Sequence, residues 1–183
     1  MKTFLRRLTA ISRSFVAFFF PALQARMAWS NWIRFLQHQK IRFARYDQEQ
    51  STEFRFLNEQ EDASIRFQAH QQEGVLYFIA SISLSGYTGD MDNVLKLSAH
   101  LNTFIHLGTI RVYVDRGIVQ HQFRVRSSEY ALYPDYIAYD FYRQYSMIQD
   151  LQWALDEMGK TGEDPLFIVA ELIRRHENQA ASS

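Results

Sequence analysis

Residues 109–125 read TIRVYVDRGIVQHQFRV. Apolar and polar side chains alternate on both sides of Asp115-Arg116-Gly117, and glycine supplies the left-handed conformation that a tight reversal needs. The stretch therefore predicts a hairpin, Thr109–Val114 paired with Ile118–Arg126. Arg111 and Arg124 each stand between two apolar neighbours, so each strand sends its apolar groups to one face and a guanidinium to the other. His121 lies inside the second strand with no other His at ligand spacing, which gives it a packing role and no metal role.

The same alternation recurs upstream. Ile41-Arg42-Phe43, Phe54-Arg55-Phe56 and Ile65-Arg66-Phe67 each read apolar, Arg, aromatic, and each predicts a half-buried antiparallel strand. Gly74 punctuates the chain before Val75–Leu84, whose more continuous apolar character places it near the centre of a sheet. Between that strand and the hairpin, the turn-rich segment SGYTGDMDN at 85–93 offers Asp90, Asp92 or Asn93 as a helix cap. It lacks the ordered Gly and distal Glu of a calcium loop, so capping is the reading. Val94, Leu95, Leu97, Leu101, Phe104 and Ile105 then predict a helix ending near Gly108.

Downstream of the hairpin, Tyr130, Tyr133, Tyr136, Tyr139, Tyr142 and Tyr145 recur at every third position. In an α-helix such a repeat slips by about 60° per step, so these rings cannot all face one core and some must lie at a rim or a partner surface. Ile137, Phe141, Ile148, Leu151, Trp153 and Leu155 supply the apolar side of the same long helix. Gly159–Asp164 reads as a breaker-rich loop. Pro165 opens a short last helix with Leu166, Val169 and Ile173 on a common side, and Gln179–Ser183 reads as a frayed end.

Charge is segregated along the chain. Nine basic and no acidic side chains precede Asp47, whereas eleven basic and all twenty acidic ones follow, so a formal net charge of zero hides halves of +9 and −9. The first 25 residues read as a basic amphipathic extension. Phe4, Leu8, Ile11, Phe15 and Phe18 gather on one side of a helix, with Lys2, Arg6, Arg7 and Arg13 among its charged positions. This pattern suits docking on the chain's own acidic body, anchoring at a membrane surface, or targeting. A secretory signal with a cut after Ala25 fits less well, because Leu23 breaks the small-residue rule. After Pro21, Trp29, Trp32, Ile33 and Leu36 predict a second helix with a wide apolar stripe.

The chain has no cysteine, which excludes disulfides, thiolate metal sites and Cys nucleophiles. A Gly-rich phosphate loop, a nucleophile elbow and an HExxH pair are all missing, so the reading is non-enzymatic, with no catalytic residue, cofactor or metal assigned. The expected architecture is α+β: an antiparallel sheet of about five strands with helices on one face, in the order helix, strands, helix, hairpin, helix, helix. Residues 26–178 form the expected domain, between the basic extension and a tail at 179–183.

The stretch LNTFIHLGTIRVYVDRGIVQHQFRV, residues 101–125, combines a helix end, a strand with an Asp-x-Gly turn and a return strand, and a long helix follows. In this it resembles the YbjN family, whose members share the type III secretion chaperone-like fold; the resemblance extends over residues 27–158. It implies a small α+β domain, often a homodimer, that binds another protein in a chaperone-like or regulatory manner. The partner-binding candidates are Tyr136, Tyr139, Tyr142 and Trp153 on the long helix and Arg55, Arg66 and Arg124 on the sheet. The alternatives are a cytoplasmic protein held at a membrane, or targeted, by its basic segment, and a single-stranded nucleic-acid binder using the Arg-lined sheet face. The net acidity from Asp47 onward disfavours the last of these.

Overall fold

The computed structural model describes residues 20–57 and 64–182, so residues 1–19 of the expected basic extension, 1–25, lie outside the described residues. Helices and strands follow in the order α1 (Pro21–His38), β1 (Ala44–Tyr46), β2 (Ser51–Leu57), β3 (Ser64–Gln72), β4 (Val75–Ser83), α2 (Met91–Asn102), β5 (Thr109–Tyr113), β6 (Ile118–Arg126), α3 (Ser127–Leu132), α4 (Asp135–Thr161) and α5 (Pro165–Ser182). The strands form one open antiparallel sheet in the order β1-β2-β3-β4-β6-β5, which is the α+β class expected. As its apolar character predicted, β4 sits inside this sheet with a partner on either side.

Period-two alternation governs which side chains are buried. On β3 the buried positions are Ile65, Phe67, Ala69 and Gln71, and on β6 they are Val119, His121, Phe123 and Val125. Arg66 and Arg124 occupy intervening positions and are exposed, as are Arg55 on β2 and Arg111 on β5. The β3–β4 hairpin turns at Glu73 (φ 50°) and Gly74 (φ 77°), the two positive φ values that a two-residue turn matching strand twist requires. In the predicted hairpin, Thr109 faces Gln122 and Tyr113 faces Ile118, with a single 3₁₀ turn at Val114–Arg116 and Gly117 at φ 58° between them.

Local chemistry displaced several boundaries. Ile41-Arg42-Phe43 is not strand, and the strand begins at Ala44. Lys40 takes φ 56°, its N–H donates to Gln37 O at 3.1 Å, and Ile41 N–H donates to Leu36 O at 3.0 Å. That paired closure ends a helix and commits the next residues to its exit. The helix α2 stops at Asn102 and does not reach Ile105, because the Asn102 amide donates to Ile110 O at 2.9 Å and accepts from Ile110 N–H at 2.8 Å. Its cap is Asp90, whose carboxylate accepts from Asp92 N–H at 3.0 Å. The loop expected from Gly159 is helix through Thr161, leaving Gly162 at φ 67° as the stop. The last helix is 18 residues long, not short, and buries Ile168, Val169 and Leu172 while Leu166 and Ile173 face out. Pro165, Ile168, Val169 and Leu172 fall at helical spacing, and this set fixes the rotation of the helix.

The described residues divide into two compact units. One takes the residues up to Phe54 with Gln68–Phe78 and Arg124–Tyr142; the other takes Arg55–Phe67, Ile79–Phe123 and the residues from Arg143 onward. The core of the first unit is aromatic. Trp32 of α1 is 2% exposed and lies edge-on to Phe78 at 5.0 Å, with Phe141 at 6.2 Å and Phe54 at 6.5 Å. Its indole N–H donates to Thr52 Oγ1 at 3.0 Å, so the one polar atom of the ring is satisfied inside the core. In the second unit His121 is fully buried. Its Nε2 lies 2.6 Å from Leu107 O, which makes that nitrogen the donor, and Gln144 Nε2 donates to its backbone oxygen at 3.2 Å.

Candidate protein-binding surface

The first unit carries an aromatic surface built from α3 and the first turns of α4. Tyr130 anchors it from below: it is buried, and its hydroxyl donates to Asp140 Oδ2 at 3.0 Å. Burial, reinforced by the Asp140 charge, pushes its pKa well above the usual phenol range, so the hydroxyl remains a donor. Tyr133 ends α3 by donating its N–H to Glu129 O at 2.7 Å, and its ring stacks on Tyr136 at 5.5 Å. Pro134 and Asp135 then open α4, where the fixed φ of proline and the acidic first turn both favour a helix start.

From Tyr136 onward the three-residue spacing decides exposure. Ile137, Phe141, Gln144 and Ile148 are buried, whereas Tyr133, Tyr136, Tyr139 and Tyr142 are 57%, 54%, 61% and 50% exposed. The tyrosines step backwards by about 60° each across the face opposite the core, so three rings cover about 120° of the helix surface. Tyr142 marks the edge of the patch. Its hydroxyl donates to Gln39 Oε1 at 3.1 Å, and its ring stands edge-on to Phe141 at 5.5 Å and Phe35 at 6.4 Å.

The predicted site residues are divided between the units. Tyr136, Tyr139, Tyr142 and Arg124 belong to the first; Trp153, Arg55 and Arg66 belong to the second. All three arginines are exposed on their strands. Trp153 is half-buried, and the Arg175 guanidinium lies over its ring, 4.2 Å from the centroid. There it lines a groove of about 1140 Å³ between the end of α4 and α5, together with Glu157, Glu163, Phe167, Glu171 and Arg174. Sequence reasoning missed Phe167, which is 68% exposed. The signal was present: Leu166, Phe167, Ile168 and Val169 are four consecutive apolar residues, which sweep about 300° of a helix and cannot share one buried side.

No group of three or more His, Asp or Glu side chains that could hold a metal occurs among the described residues, and no described helix is long and apolar enough to cross a membrane. Compared with protein-family models, curated proteins and solved structures, the chain matches none.

Proposed function

We propose that the protein is a non-enzymatic protein-binding module, chaperone-like or regulatory, that associates through the tyrosine face of α4 and is itself a homodimer. The observation that carries the reading is the row Tyr133, Tyr136, Tyr139 and Tyr142, each at least half exposed on a face that leads straight into an aromatic core. Tyrosine presents a large apolar body with a polar tip and few rotatable bonds, so it contributes contact area at a low ordering cost and is enriched where proteins meet. The core beneath holds the helix rigid, which reduces the entropy lost on association. The resemblance of residues 101–125 to the YbjN family supports the same class of activity.

Light scattering on the full chain, wild type beside Tyr136→Ser/Tyr139→Ser, tests the surface. The expected result is a dimer that the double substitution converts to monomer, with an unchanged circular dichroism spectrum. If the variant keeps both the wild-type mass and every protein captured by the wild type, the tyrosine face is not the binding surface.

A further inference from the structure

Within the first unit the open face of the sheet carries a flat, aromatic and cationic surface, and we infer that this surface binds single-stranded nucleic acid. The register of three strands assembles it. The two-residue turn at Glu73 and Gly74 sets His70 opposite Tyr77 and Gln72 opposite Val75. Ser127 N–H donates to Gly74 O at 2.8 Å and Gln120 Nε2 donates to Ser81 Oγ at 3.1 Å; this single register of β4 on β6 sets Tyr77 opposite Arg124 and Val75 opposite Arg126. All six positions belong to the first unit, and they alternate with the buried Ala69, Gln71, Leu76, Phe78 and Val125, so they share the other face. Gln72, Arg124 and Arg126 are exposed there, and His70, Val75 and Tyr77 are half-buried.

The His70 and Tyr77 rings lie parallel, with 8° between their planes and 4.8 Å between their centroids. Such a pair beside a guanidinium is a platform for a further flat ring, and every nucleobase has a π-face to lay on it. Arg124 and Arg126 stand two residues apart on β6, with Cα atoms about 7 Å apart. Among the described residues neither guanidinium takes part in an ion pair or a hydrogen bond. Its planar fork suits phosphate, which it meets through two parallel N–H donors. Local charge favours a polyanion although the chain after Asp47 is net acidic. On the open face of this unit's strands the one carboxylate is Glu53, to which Gln68 Nε2 donates at 3.4 Å. The unit's other acidic residues lie in turns, at Asp47, Glu49 and Glu73, or on helices, at Glu129, Asp135 and Asp140. None of the six positions is a large exposed apolar residue of the kind that anchors a protein partner.

Fluorescence anisotropy of a labelled oligodeoxythymidylate, titrated with the full chain from about 50 mM salt upward, tests this. The wild type should bind. Arg124→Gln/Arg126→Gln, at exposed positions, should weaken binding about tenfold and lower the slope of log K against log salt by about 1.4, two phosphates at about 0.7 each. Tyr77→Leu keeps an apolar body beside His70 and removes the flat ring, so it should weaken binding about tenfold with the salt slope unchanged. Absence of binding by the wild type overturns the inference, and if the arginine variant then also loses a captured protein, the face is a protein surface. Binding that both variants retain at wild-type affinity overturns it as well, because the nine basic side chains before Asp47 would then be the contact.

Discussion

His121 shows how one buried side chain links conformation to pH. Burial holds its imidazole below the ordinary value of 6.5, because a charge there would lose its hydration, while the bond to Leu107 O opposes the shift only in part. Among the described residues Nδ1 has no hydrogen-bond partner, so the proton it would take on has no acceptor. The unfolded chain therefore binds more protons than the folded one once pH drops below 6.5, and stability falls with pH from there down to the depressed folded value. His70, also lowered by burial, acts in the same direction. Thermal melting followed across this range should show a declining Tm for the wild type and a flatter profile for His121→Gln, which starts lower at neutral pH. Identical slopes would remove His121 from this role.

The neighbouring Gly108 is constrained twice. It sits at φ 80°, and a Cβ there would lie 2.3 Å from Gln122 O, 2.8 Å from Phe123 Cβ and 2.9 Å from His121 Nε2. Gly117 has φ 58° but open space around it. Gly108→Ala should destabilise by about 2–4 kcal/mol, left-handed strain plus overpacking, and Gly117→Ala by about 1–2 kcal/mol from strain alone. Urea denaturation of the two variants side by side checks the order, and equal losses would contradict the steric argument.

Among the elements, β5 is an edge strand that needs protection, since an edge offers unpaired donors and acceptors to any other chain. Asn102 answers that need by occupying both the N–H and the C=O of Ile110 from the end of α2. Asn102→Ala should cost about 1–3 kcal/mol, the penalty for leaving partly buried backbone groups unpaired, and should increase aggregation on heating. Asn102→Asp keeps the acceptor and loses the donor, so an intermediate loss is expected in the same melting experiment. For α4, the exposed tyrosines predict the opposite pattern: Tyr136→Ser and Tyr139→Ser should each leave stability within about 0.5 kcal/mol of wild type. Under the proposed function their effect falls on association, read by light scattering.

At the scale of the whole molecule, alternation and helical spacing carried far because they report which face of an element is greasy, and burial follows greasiness. Ile65, Phe67, Val119 and Phe123 went inside as their spacing required, and Arg66 and Arg124 stayed outside. The Trp29, Trp32, Ile33 and Leu36 stripe of α1 is buried for the same reason. Boundaries were less legible. Whether Ile41 starts a strand or closes a helix depends on Lys40 adopting a left-handed backbone, and whether α2 continues past Asn102 depends on a strand edge eight residues away. For the candidate surface, the tyrosine repeat announced that some rings must face outward. It could not say that Trp153 would lie under Arg175, because that contact joins positions 153 and 175 on different helices.

The sequence by itself determined the α+β class, the central place of Val75–Ser83, the hairpin at Asp115-Arg116-Gly117 and that some of the repeated tyrosines must face outward, all consequences of local periodicity and turn chemistry acting within a few residues. Only the tertiary structure decided the isolation of His121, the capture of Ile110 by Asn102, and the aromatic, acid-rimmed groove that unites Trp153 with Phe167. Those depend on groups distant in the chain coming within a few ångströms, and packing, which local pattern does not encode, selects which of them meet.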